Sequence, residues 1–111
     1  MLKNKQIGKK EQALKFFNKT LLKNFKKDIR AIYLFGSLVR GQASKESDID
    51  VLIFSKKPSS VASAAWDTSL KVYEKFGESI EALTYPSKKY ENPDSYFIYQ
   101  ATNTGKRLYP V

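Results

Sequence analysis

Residues 31–54 read AIYLFGSLVRGQASKESDIDVLIF, two apolar runs around a polar segment. The first run, Ile29 to Phe35, is too short for a typical helix. It is rich in β-branched and aromatic residues and stops at Gly36. It therefore reads as a strand buried on both faces of a sheet. The second run, Asp48 to Phe54, reads the same way but opens on two carboxylates, Asp48 and Asp50, separated by Ile49. Between the strands, Ser37 to Gly41 predicts a tight loop or a single helical turn, and Gln42 to Ser47 a polar loop. That connection has little helical pattern, so an antiparallel pair is as acceptable as a parallel crossover.

Working outward, Met1 to Lys10 is polar and basic and reads as an arm or a first helical turn. Glu11 to Lys27 carries Leu14, Phe17, Leu21 and Phe25 at steps of three and four. That spacing predicts an amphipathic helix with Lys15, Lys19, Lys23 and Lys26 on its surface. After the break at Pro58, Ser59 or Ser60 can cap a helix running to Phe76, stopped by Gly77. Ala62, Ala65, Trp66, Leu70, Tyr73 and Phe76 share one face of it, and Trp66 is expected in the core. Ile80 to Tyr85 predicts a third strand ended by Pro86. Asn92-Pro93-Asp94 reads as the start of a helix that ends near Thr104 and Gly105. Lys106 to Val111 adds a short edge strand. The order is α-β-β-α-β-α with a last β. The expected fold is α/β (α+β), a small mixed sheet of three or four strands with helices on one side. No linker or repeat interrupts residues 1–111, so one domain is expected.

Composition narrows the chemistry. With no cysteine and no histidine, the chain excludes disulfides, thiolate zinc sites and Ser-His-Asp catalysis within itself. Any metal must be held by oxygen, which favours Mg²⁺, Mn²⁺ or Ca²⁺. The net charge of +9 suits a polyanionic partner, although scattered lysines serve solubility equally well. No apolar segment approaches the ~20 residues that span a bilayer. No signal-peptide core stands at the N-terminus. A cytoplasmic location is the expectation.

Side chains two apart on a strand point to the same face, so Asp48 and Asp50 would converge roughly 6–7 Å apart. Like charges that close repel unless a cation lies between them. A divalent ion is one solution; a turn cap at Asp48 with an Asp50–lysine pair is another. Gly36 lets the backbone approach a ligand closely. Ser37 offers a hydroxyl and an N–H to phosphate oxygens, and Arg40 can add a charged fork. Tyr85, Tyr90, Tyr96, Phe97 and Tyr99 crowd the last third, where core and helix packing is expected ahead of base stacking.

Gly36-Ser37, ten residues, Asp48, one residue and Asp50, with Arg40-Gly41 and Ser47 between, resembles the signature of the DNA polymerase β-like nucleotidyltransferases. The full string is close to that of their small prokaryotic members, the minimal nucleotidyltransferases. The resemblance implies the nucleotidyltransferase fold. It also implies a site of Asp48, Asp50 and Glu81 holding two Mg²⁺ or Mn²⁺ ions, with Gly36, Ser37, Arg40 and Ser47 binding a nucleoside triphosphate. Glu81 departs from the Asp usual on the third strand and reaches one methylene further, as a metal ligand or as the base for the attacking hydroxyl. The implied reaction transfers AMP, from ATP, to a hydroxyl and releases pyrophosphate. Many such proteins resemble the antitoxin of a toxin–antitoxin pair that adenylylates a tyrosine of a helical HEPN ribonuclease toxin. Two other readings stay open: neutralisation of a partner by occlusion without catalysis, and transfer to a nucleic-acid end. Self-association is open as well.

Overall fold

Two strands that are apolar on both faces need cover on both sides, and this requirement sets the architecture. The computed structural model describes residues 5–44 and 46–111, with side chains from residue 8 onward. The expected arm therefore lies partly outside the described residues. Its described portion belongs to helix α1, which spans Lys5–Phe25. Strand β1 is Ile29–Phe35, and β2 is Ile49–Ser55. Helix α2 is Pro58–Phe76, β3 is Ile80–Pro86, α3 is Lys88–Glu91, α4 is Tyr96–Thr104 and β4 is Lys106–Tyr109.

The four strands lie in the order β3-β2-β1-β4. β1 pairs antiparallel with both β2 and β4. β2 pairs parallel with β3, reached through the α2 crossover. The sheet is mixed and four-stranded, as expected.

Helices lie on both faces, which corrects the expected one-sided layering. On one face, Phe17 and Leu21 of α1 and Val61 and Val72 of α2 pack on Ile32, Leu34, Ile49, Val51 and Ile53. On the other, Ile98 and Ala101 of α4 pack with Ala31, Tyr33, Leu52 and Phe54. Tyr90 of α3 closes that second core, its ring 5.0 Å from Phe54.

Three further expectations change. Helix α2 buries Val61, Ala65, Thr68 and Val72, while Trp66 is 66% exposed and Leu70 and Tyr73 are also exposed. A one-residue shift turns a helix by ~100°, so the bulky stripe stands beside the buried one. Small and β-branched side chains let α2 sit close to the sheet, and they won the inner face over the aromatics. The start of α2 is Pro58, with Lys57 at the N-cap, not Ser59 or Ser60. Gly77 does stop it, in the left-handed conformation. Asn92 ends the short α3 rather than starting a helix, and the Ser95 hydroxyl caps α4 by accepting from the Ile98 N–H. Among the described residues no helix is long and apolar enough to cross a membrane.

Candidate functional site

Gly36 ends β1 with φ of +82°, a conformation that side chains avoid. The antiparallel register sets Phe35 opposite Asp50. A Cβ on Gly36 would stand 2.2 Å from the Asp50 Oδ2 atom, so the carboxylate rests directly against the glycine backbone. The two halves of the sequence pattern are thus one contact. The loop after Gly36 is wound by N–H bonds from Arg40 to the Gly36 carbonyl (3.2 Å) and from Gln42 to the Ser37 carbonyl (2.9 Å). Leu38 is buried and anchors this loop in the first core.

Asp48 is exposed and lies just before β2, one residue outside the strand expected for it. Asp50 is half-buried inside β2. Glu81 is exposed on the edge strand β3 and sits in register with Asp50. Burial raises the Asp50 carboxyl above the usual carboxylate range, the negative charges of Glu81 and Asp48 raise it further, and Arg40 opposes them. All three acids therefore share one electrostatic environment. Asp50 is frustrated in the absence of a cation.

This donor set is made of oxygen alone and fits Mg²⁺ or Mn²⁺. Among the described residues, no group of three acids is gathered into a finished cage. A Mg²⁺ ion here would need one or two of these carboxylates, with phosphate oxygens and water completing its shell.

Of the other candidates, Arg40 is exposed, and its Nε donates to the Gln42 Oε1 atom at 3.2 Å. Ser37 follows Gly36 at the mouth of the site and is half-buried. The Ser47 hydroxyl accepts from the Ser44 N–H at 2.8 Å, so it shapes the loop leading to Asp48. A groove of about 250 Å³ opens beside these acids, lined by Asp48, Glu81, Ala65, Trp66, Ile80 and Ala82 among others. Of the crowded aromatics, Tyr85 and Tyr90 pack on the second core, whereas Tyr96, Phe97 and Tyr99 are exposed. Phe97 meets Phe35 edge to face at 5.4 Å, next to Gly36.

Sequence reasoning missed Leu38 and Lys10. Lys10 is 2% exposed and pairs with Glu78. The missed signal was its phase: Lys10, Leu14, Phe17 and Leu21 follow steps of four, three and four.

Comparison with known proteins identifies the family and the fold. The sequence profile of the family described as Polymerase beta, Nucleotidyltransferase matches residues 18–110. A Methanocaldococcus jannaschii protein, MJ0604, provisionally named a protein adenylyltransferase, is 46% identical over 43 residues. That match spans 39% of this chain and 43% of the relative, less than half of its length. A solved toxin–antitoxin structure with AMP-PNP superposes with a TM-score of 0.59 at 23% identity, over 86% of this chain and 72% of the other. A mutant of the toxin–antitoxin pair MntA–HpeT gives 0.58 at 21% identity, over 86% and 73%. At such identities these structures share the fold.

Proposed function

Because the chain belongs to the Polymerase beta nucleotidyltransferase family, we propose that it transfers a nucleoside monophosphate, AMP from ATP, to a hydroxyl of a partner protein. The observation that carries this reading is the contact of Asp50 with Gly36, which sets the Gly36 turn against the carboxylate of β2, and we read that turn as the phosphate site. Backbone N–H groups after Gly36, the Ser37 hydroxyl and the Arg40 guanidinium would hold the triphosphate, while Ser47 keeps the loop in shape. Asp48, Asp50 and Glu81 would hold Mg²⁺ or Mn²⁺, two ions in this family's pattern. Such ions supply charge stabilisation at the phosphate and a more acidic acceptor hydroxyl. The hydroxyl oxygen bonds to the α-phosphorus as the bond to the β-phosphate bridge breaks. Pyrophosphate leaves, and the hydroxyl proton passes to Glu81 or to water.

A protein acceptor is supported by the surface around the acids. Trp66, Leu70 and Tyr73 are exposed on α2, and Trp66 itself lines the groove that Asp48 and Glu81 also line. The adenylyltransferase-named relative supports a protein as the acceptor, and the toxin–antitoxin neighbours support a toxin as that partner. A helical HEPN-type ribonuclease is the form we propose for it, with this chain as the antitoxin.

The test is transfer of label from α-labelled ATP to a co-purified partner in the presence of Mg²⁺. Wild type should label the partner, and the Asp48→Ala, Asp50→Ala double variant should not. Equal labelling by both would overturn the proposal, and elongation of an RNA oligonucleotide in its place would reassign the acceptor. The same exposed stripe on α2 favours a second reading, neutralisation by occlusion. In that case the double Asp variant still neutralises the partner in cells.

A further inference from the structure

A lysine buried in the apolar stripe of a helix needs a reason, and Lys10 has one at some distance along the chain. Its ammonium donates to the Glu78 Oε1 atom at 2.6 Å and to the Ser47 carbonyl at 2.7 Å, reaching over sequence separations of 68 and 37 residues. Ser47 immediately precedes Asp48. On the other side of Asp48, the Ile49 N–H donates to the Ser79 carbonyl at 2.8 Å. The Ser47 hydroxyl is itself fixed by the Ser44 N–H at 2.8 Å. The backbone on either side of Asp48 is therefore held by α1 and by the corner between α2 and β3, while its side chain remains exposed.

Stability alone does not explain the pair. A buried ion pair is commonly no more stabilising than well-packed apolar residues of the same volume, and a leucine would suit the phase of Lys10. The bond to the Ser47 carbonyl is what such a replacement would lose. Asp48 lies one residue before β2, so the ladder bond from Ile49 to Ser79 fixes only its C-terminal side, whereas a metal ligand must be held to about half an ångström.

We infer that the buried Lys10–Glu78 pair is a positioning clasp for Asp48, fixing the backbone so that the carboxylate is presented to a divalent cation. The identity of that cation rests on the proposed function, and the clasp rests on the hydrogen bonds of Lys10.

The test replaces the pair with apolar residues, Lys10→Met with Glu78→Leu, so that no lone charge is left buried. Melting temperature, manganese binding by electron paramagnetic resonance, and amide hydrogen exchange at Ser47 and Ile49, whose N–H groups donate to the Ser44 and Ser79 carbonyls, are read together. The expected result is a melting temperature near that of wild type, roughly tenfold weaker Mn²⁺ binding and faster exchange at both amides. A purely structural pair would move the melting temperature and leave the affinity of the folded protein alone. Unchanged affinity and unchanged exchange in the apolar variant overturn the clasp. Wild type that binds no Mn²⁺ overturns the metal reading of the proposed function, and the exchange data still decide the clasp. Should the double variant fail to fold, Lys10→Met with Glu78→Gln, which removes the donor to the Ser47 carbonyl and leaves no lone charge buried, is read by the same exchange measurement. A rate at Ile49 equal to wild type counts against the clasp.

Discussion

Gly36 carries two constraints at a single residue. Its φ of +82° disfavours any side chain, and the space a Cβ would need is taken by the Asp50 carboxylate. Gly36→Ala should therefore cost about 1–3 kcal/mol of stability from backbone strain alone. It should also displace Asp50, lowering nucleotidyl transfer by ~100-fold, the scale of a 1 Å misplacement at a reacting centre. Urea unfolding and the labelling assay check the two effects separately. A variant with wild-type labelling would mean that the close approach is not needed for activity. The glycine was visible in the sequence as the end of a strand. Its contact with Asp50 was not, because it depends on the antiparallel register that sets Phe35 opposite Asp50.

At the scale of an element, α2 presents two apolar stripes and the sheet accepts only one. Val72 is fully buried and Trp66 is 66% exposed. Val72→Ala should cost about 1–3 kcal/mol through lost burial and a residual cavity. Trp66→Ala should change stability by less than about 0.5 kcal/mol, as expected for a surface site, while weakening labelling of a protein acceptor. Chemical denaturation of both variants checks the contrast. The chain has a single tryptophan, so iodide quenching of native fluorescence reports its exposure directly. Strong protection from iodide would contradict the arrangement of α2. Hydrophobic periodicity placed this helix and its glycine stop correctly. It placed Ala65 and Phe76 against the core correctly but set Trp66, Leu70 and Tyr73 with them, because transfer energy favours the larger residues, whereas close packing of a helix on a sheet favours the smaller ones.

Across the whole molecule, a chain of net charge +9 keeps three acids at one end of its sheet. The Asp50 carboxyl is raised by burial and by Glu81 and Asp48, so in the metal-free protein the folded state holds that proton more tightly than the unfolded state. The sign follows: between the ordinary Asp value and the raised one, the native state binds more protons, and stability falls as pH rises through that window. Above it the full penalty remains. Asp50→Asn should therefore raise the melting temperature of the metal-free protein near neutral pH and flatten its fall above pH ~4. Added Mg²⁺ should stabilise wild type by RT ln(1 + [L]/Kd), about 2.7 kcal/mol at a hundredfold excess over Kd, and should leave Asp50→Asn nearly unaffected. Differential scanning fluorimetry across pH, with and without Mg²⁺, tests both. A melting temperature in Asp50→Asn equal to or below wild type would show that Asp50 is not frustrated.

Local reading of the chain was enough for the order of the elements apart from the short α3, for the two buried central strands, for the glycine stops of α2 and α4, and for the residues from which a site could be built. These are local properties: periodicity, turn chemistry and the cost of placing carboxylates beside an apolar run can be read within a few residues. Tertiary structure alone decided which stripe of α2 faces inward and that helices cover both faces of the sheet. It alone brought Glu81 into register with Asp50 and set a buried lysine of α1 beneath the loop that carries Asp48. Each of these depends on partners far apart in the chain. Their energies arise from close packing and paired charge, which no window of sequence contains.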